Sequence, residues 1–257
     1  MLHNYVLCAI RSAATRDGAA YMLEFRNVTV AVAGKAVVDS VDLTVGSGEL
    51  HVLMGPNGSG KSSLLAAAMG LAPYKVTQGD IVFDGQSVLG LSTDERARLG
   101  LGLAFQHPPA LEGISYRAFA RAIGAEDALE GEAGALDLSA FGDRDLNVGF
   151  SGGETKRSEV LKLILQRPRM LMFDEPESGV DLEHVAVVGR AVQRAITTPD
   201  SEGRPRAGLV ITHTGLILDH VDTAHGHIMT DGRLVHSGDA RELFRHIQSH
   251  GYRAPAA

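Results

Sequence analysis

The stretch Gly55-Pro56-Asn57-Gly58-Ser59-Gly60-Lys61-Ser62, with Ser63 behind it, constrains this chain more than any other. It follows ELHVLM, a buried-strand pattern, and runs into KSSLLAAAMG, a strong helix former. That context predicts an α/β strand-loop-helix unit whose loop amides wrap phosphates, with Lys61 reaching the β and γ phosphates and Ser62 ligating magnesium. A flexible glycine turn would share the glycines, but the flanking strand and helix favour the phosphate loop.

Further short strands are predicted at DIVFDG, GLAFQ, MLMFDE, LVITHT and HIMTDGRLV. Three of them end in polar residues: Gln106, the pair Asp174-Glu175, and His213. Strand ends in α/β sheets converge on one crevice, so these side chains are candidates for a common site. Asp174 suits magnesium, directly or through water, and Glu175 suits a general base for an attacking water. The Gln106 carboxamide oxygen can touch the magnesium or the water, and His213 can hydrogen-bond a γ-phosphate oxygen. Any one of these is also an ordinary strand-end polar residue; their order behind a phosphate loop points to chemistry.

Ahead of the phosphate loop, LEFRNVTVAV and AVVDSVDLTV alternate apolar and polar residues around Gly34-Lys35 and predict an antiparallel hairpin. Residues 108–148 are Ala-rich and acidic without a strand signal and predict a small helical insertion. The first residues, up to 21, read as a mobile extension, or as an upstream start before Met22; basic residues follow rather than precede their apolar part, the wrong order for a secretory signal.

A net charge of -7 argues against a general nucleic-acid surface, which calls for clustered Lys and Arg. No apolar run reaches the roughly 18 residues that span a bilayer, so no direct membrane insertion is expected. The single cysteine, Cys8, allows neither an internal disulfide nor an all-cysteine metal site, and fits a reducing cytoplasm. The 11 histidines repeat no zinc spacing and read as scattered surface residues, so no metal beyond magnesium is assigned.

One more stretch, LNVGFSGGETKRSEVLKL, sets Gly152 and Gly153 at a helix start, with Ser151 and Glu154 at capping-box spacing. Unpaired amides there favour an anion. The order of motifs, from phosphate loop through Gln106, helical insertion, SGGE, Asp174-Glu175 and SGVD to His213, resembles the ATP-binding cassette (ABC) ATPases. The resemblance runs from about Met22 to the C-terminus. It implies a P-loop NTPase fold with a RecA-like core, an antiparallel β subdomain and a helical subdomain at about 108–165. It also implies that Ser151, Gly152 and Gly153 face the γ-phosphate held by a second copy, that Asp181 couples the two sites, and that ATP staples a homodimer. No Asn-Lys-x-Asp guanine-reading motif is present, which agrees with ATP, while TVAVAGKAV lacks the hairpin aromatic that often stacks on adenine in that family.

Within the family, AFQHPPALEGIS, the residues around Phe150, ESGVDLEHVAVVG and the ending HGHIMTDGRLVHSGDARELFRHIQSHGY are similar to the Suf-type iron-sulfur cluster assembly ATPases. Pro176, Thr214-Gly215 and the short insertion depart from that group. The resemblance implies partners of the SufB/SufD scaffold type, reshaped when ATP closes two ATPase copies. One cysteine is too few for a cluster, which needs about four thiolates, so the cluster would sit on the partner. The rival readings are the energy-coupling subunit of a membrane transporter and a nucleotide-regulated binding module without turnover.

Overall fold

The computed structural model describes residues 21–252; of the extension expected up to residue 21, residues 1–20 lie outside the described residues, as does Cys8, while Tyr21 already belongs to the first strand. The chain begins with the expected hairpin, β1 (Tyr21–Val32) and β2 (Lys35–Gly46), paired antiparallel with Val32 opposite Lys35. Its turn is Ala33-Gly34 rather than Gly34-Lys35, with φ of 49° and 80°. Positive φ at both central residues is what a two-residue hairpin turn needs to match strand twist.

Next come β3 (Leu50–Met54), α1 (Lys61–Met69), β4 (Lys75–Phe83), β5 (Gln86–Ser87), α2 (Thr93–Leu99) and β6 (Leu101–Ala104). The insertion carries β7 (Leu111–Ser115), α3 (Tyr116–Ala122), α4 (Glu126–Ala135) and β8 (Asp145–Leu146). The chain closes with α5 (Gly152–Gln166), β9 (Met170–Asp174), α6 (Leu182–Thr197), β10 (Ala207–Thr212), β11 (His225–Thr230), β12 (Arg233–Gly238) and α7 (Ala240–His250). HIMTDGRLV is therefore two strands, reversed at Asp231-Gly232, where both residues have positive φ.

Two sheets form the body. The first, β2-β1-β4-β5, is antiparallel, and the second runs β12-β11-β3-β10-β9-β6, parallel except for the β11-β12 pair. A mixed α/β core of this kind is the P-loop NTPase architecture of the ABC ATPases that the sequence implies. Alternate residues of the parallel strands serve opposite faces. Leu171, Phe173 and Val210 join one hydrophobic core with α5 and α6, while Met170, Met172, Leu209 and Ile211 join the other with α1 and the hairpin. A five-residue strand such as β3, buried throughout, is the pattern of a parallel strand covered on both sides.

The insertion corrects the sequence in one respect: it is not purely helical. β7 and β8 pair antiparallel, with Leu111 opposite Leu146. Their strand signal is weak because β7 is mostly exposed and β8 has only two residues. Below them a buried polar knot ties the insertion to α5: the Ser158 hydroxyl donates to Asn147 Oδ1 at 2.5 Å and also contacts the Tyr116 hydroxyl. Burial pushes the Tyr116 phenol above its usual value.

The histidines also depart from expectation. His51 and His227 are buried and His225 stacks on His51, so three of them form one cluster between β3 and β11 rather than lying scattered on the surface.

Candidate active site

β3 ends at Met54 and the chain turns through Gly55 to Gly60 before α1 begins at Lys61. Two glycines are required by what surrounds them. A Cβ on Gly55 would lie 2.1 Å from the Met229 carbonyl oxygen, and one on Gly60, at φ 100°, would lie 2.6 Å from that of Val37. The loop is thus wedged between β11 and the hairpin, and it lines a cleft of about 410 Å³. Asn57, Gly58, Ser59, Gly60, Lys61, Ser62, Ser63, Gln106 and Glu175 line that cleft, together with Val37.

Lys61 is buried and donates to the carbonyls of Gly55 at 2.8 Å and Pro56 at 2.9 Å. Burial lowers its pKa, while the carboxylates of Glu175 and Asp174 work against that shift. Ser62 Oγ donates to Asp174 Oδ1 at 3.0 Å, joining the start of α1 to the end of β9. Burial raises the Asp174 carboxyl, opposed by the Ser62 hydroxyl bond.

Glu175 stands just past β9, its amide bonded to the Ile211 carbonyl at 3.1 Å and its φ at 52°, a left-handed conformation that non-glycine residues seldom adopt. Both carboxylate oxygens are held. Gln106 Nε2 donates to Oε2 at 2.6 Å, and His213 Nδ1 lies 3.1 Å from Oε1. Four sequence motifs from four separated segments thus meet within hydrogen-bonding distance, as strand ends of a parallel sheet should.

Ser151, Gly152, Gly153 and Asp181 do not line this cleft. Ser151 caps α5 with a capping box: its Oγ accepts from the Glu154 amide at 3.3 Å, and Glu154 Oε2 accepts from the Ser151 amide at 2.7 Å. Ser151 and Gly152 are exposed, so the start of α5 is open to solvent. Asp181 caps α6, accepting from the His184 amide at 3.0 Å, and that bond with the His184 ring holds its carboxyl below the usual range.

Sequence reasoning missed four contributors. Lys156, buried on the first turns of α5, donates to the Glu175 carbonyl at 2.9 Å and lies among carboxylates that oppose the burial-driven drop in its pKa. Its spacing to Val160 and Leu163, at i+4 and i+7, places it on the apolar stripe of the helix and could have exposed it. Glu177 is buried against the hydroxyls of Thr212 and Thr214, with nothing in the sequence to single it out. The Arg144 guanidinium lies 4.5 Å from the Phe141 ring and 4.6 Å from the Phe150 ring, which meet each other edge to face, and it reaches the carbonyls of Val148 and Gly149 just before Ser151. Val37 brings a branched aliphatic side chain from the hairpin to the cleft.

The donors of Ser62, Asp174 and Gln106 fit magnesium. All are hard oxygens once the Gln106 nitrogen is spent on Glu175, and the 3.0 Å Ser62-Asp174 separation matches neighbouring oxygens around an ion held at about 2.1 Å.

The ABC transporter family model matches residues 38–178. A probable ABC transporter ATP-binding protein of Streptococcus pyogenes serotype M18 is 39% identical over 90% of this chain and 93% of its own length. The probable ATP-dependent transporter SufC of Escherichia coli strain K12 is 35% identical over 90% and 97%. Among solved structures, a nucleotide-free ATP-binding cassette from an ABC transporter superposes with a TM-score of 0.74 at 21% identity, covering 91% of this chain and all of the other (100%). At that identity the superposition speaks for the fold alone, and the family match and the sequence relatives speak for the rest. The chain belongs to the ABC transporter ATPase family, as an ATP-binding subunit that hydrolyses ATP.

Proposed function

We propose that this chain is the cytoplasmic ATPase of a Suf-type iron-sulfur assembly machine, closing as an ATP-bound homodimer to distort a soluble SufB/SufD-type scaffold. Support for the subfamily comes from the 35% identity to SufC of Escherichia coli and from the Suf-like ending at residues 225–252. The Streptococcus pyogenes relative bears a transporter name, which favours the rival reading of an energy-coupling subunit. No helix among the described residues is long and apolar enough to cross a membrane.

In this reading residues 22–257 form one ATPase domain with a helical subdomain at about 108–165. The observation that carries the mechanism is the Gln106-Glu175-His213 constellation. Glu175 takes the proton of the attacking water at its carboxylate, whose plane Gln106 and His213 fix from either side. Loop amides from Gly58 to Ser63 and the Lys61 ammonium hold the phosphates, while His213 bonds a γ-phosphate oxygen as the water adds. Magnesium, when bound at Ser62, Asp174 and Gln106, supplies charge neutralisation to the phosphate oxygens. Val37 supplies an aliphatic wall for the adenine in place of a stacked aromatic. The outward start of α5, with Ser151, Gly152 and Gly153, grips the γ-phosphate of a second copy, and Asp181 links the two sites.

Replacing Glu175 with Gln is expected to lower turnover by about 10²- to 10⁴-fold and to trap a closed dimer in Mg-ATP. Light scattering that finds only monomers of this variant at saturating Mg-ATP sinks the shared-nucleotide model. Affinity capture from the native cell then separates the subfamilies: a cysteine-rich soluble scaffold supports the Suf reading, and a permease supports the rival.

A further inference from the structure

We propose that Glu49, His51 and His225 form a binding site for one divalent first-row transition-metal ion of the zinc type, at the amino-terminal end of the parallel sheet. One ligand atom from each of the three lies within 4.8 Å of the other two. The juxtaposition comes from the sheet itself. His225 is the register partner of His51 on the adjacent parallel strand, and the two rings stack with centroids 4.3 Å apart. Glu49 precedes β3, and its Oε2 is anchored by the Gly46 amide at 2.7 Å. The same carboxylate reaches His51 Nε2 at 2.8 Å and His225 Nε2 at 3.8 Å.

Two imidazole nitrogens and one carboxylate oxygen suit zinc and its neighbours, whereas magnesium and calcium prefer all-oxygen shells. Bound donors sit about 3.3 Å from one another around an ion at 2.0–2.2 Å, so the 2.8 Å His51–Glu49 contact opens slightly and the 3.8 Å His225–Glu49 one closes. His225 can make that movement, because its side chain is 45% exposed and also opens the path from solvent, while His51 is the fixed, buried wall.

Behind the first ligand lies a hydrogen-bonded chain. His51 Nδ1 is 2.9 Å from His227 Nε2, and His227 Nδ1 is 2.8 Å from Ser237 Oγ. Without an ion, Ser237 donates to His227, His227 to His51, and His51 Nε2–H to Glu49. With an ion at His51 Nε2 the direction reverses: His51 Nδ1–H donates to His227, and His227 Nδ1–H donates to Ser237. Both arrangements satisfy the His227 and Ser237 contacts with the same number of protons, so the ion takes the place of one hydrogen bond without unbalancing the chain. Such second partners orient ligating histidines and raise their affinity. From His51 to Gly55 is roughly 13 Å along β3, so the site is remote from the phosphate loop.

The test is calorimetric titration of metal-stripped full-length protein with Zn²⁺ in excess magnesium and without ATP, with Co²⁺ visible absorption as a second readout. One ion per chain and a Co²⁺ ligand-field band are expected. His225→Ala and Glu49→Gln should each weaken Zn²⁺ binding by about 10²-fold, and Ser237→Ala by about tenfold. ATP turnover of His225→Ala should stay within about twofold of the parent, given the separation along β3. The control is the double replacement of His246 and His250 by Ala, since those rings stack at 4.8 Å on α7 and are the alternative histidine pair. Absence of Zn²⁺ uptake by the parent overturns the proposal. So does uptake that survives His225→Ala unchanged, or that the α7 double replacement alone abolishes.

Discussion

The two ends of β3 hold polar clusters of opposite construction. Past its carboxyl end, Lys61 at the start of α1, Gln106 beyond β6, Asp174 and Glu175 at the end of β9 and His213 beyond β10 come together, each near the point where a strand stops and its chain is free to turn. At its amino end, His51, His225 and His227 sit on neighbouring strands and meet because register places them side by side. The first arrangement surrounds a cleft with hydrogen-bond donors and charges, while the second is packed ring against ring. Loops can surround a polyphosphate; adjacent strands can only bring a few side chains to one point.

That contrast can be broken at either end. After Glu175→Gln, the next largest effect is expected from Lys61→Ala, which removes the buried cation of the cleft and should lower phosphate release by about 10²- to 10³-fold. A comparable loss from His225→Ala would erase the distinction between a chemical end and a passive one. Lys156→Met is expected next. It leaves the Glu175 carbonyl without its 2.9 Å donor and removes one of the counter-charges of the surrounding carboxylates, with Lys61 remaining. Urea unfolding should show a loss of about 1–3 kcal/mol, together with reduced turnover as Glu175 loses the anchor for its left-handed backbone. Ser151→Ala removes one half of the capping box on α5 and should cost about 1 kcal/mol, read as a fall of roughly 2–4 °C in melting temperature.

The smallest effect concerns pH. Burial raises the Glu177 carboxyl above its ordinary 4.5, against the hydroxyls of Thr212 and Thr214, which lower it. A raised folded-state pKa means that ionised Glu177 opposes folding above that pKa, and that this opposition fades as pH falls toward 4.5. Measured against Glu177→Gln, the parent should therefore gain relative stability as pH falls from neutrality toward 4.5. A difference that stays constant with pH means that Glu177 keeps its ordinary titration.

The cleft end was legible because each of its parts is a contiguous word: a glycine loop with Lys61, a strand closed by Asp174-Glu175, a strand closed by His213. What escaped depends on tertiary placement. His51 and His225 are far apart in the chain and share no spacing, so only strand order brings them together. β7 and β8 draw their pairing from each other rather than from an apolar pattern, and Leu111 remains 38% exposed. Lys156 hides within a helix whose other buried residues are mostly apolar, and Val37 is one valine among several in the hairpin. The Ser151 capping box was readable for the opposite reason: it is local, complete within four residues, and independent of the rest of the fold.

The division of the interior into two hydrophobic cores has an engineering consequence. α1, which follows the phosphate loop, is rooted through Leu64, Leu65 and Ala68 on one face of the parallel sheet, and α5, behind Ser151, through Val160, Leu161 and Leu163 on the other. The insertion packs with α5 alone of these two helices, so a chimaera that exchanges it for that of a relative would leave the foundations of the phosphate loop untouched. The insertion and the loop that leads into α1 are, in this architecture, separately replaceable modules.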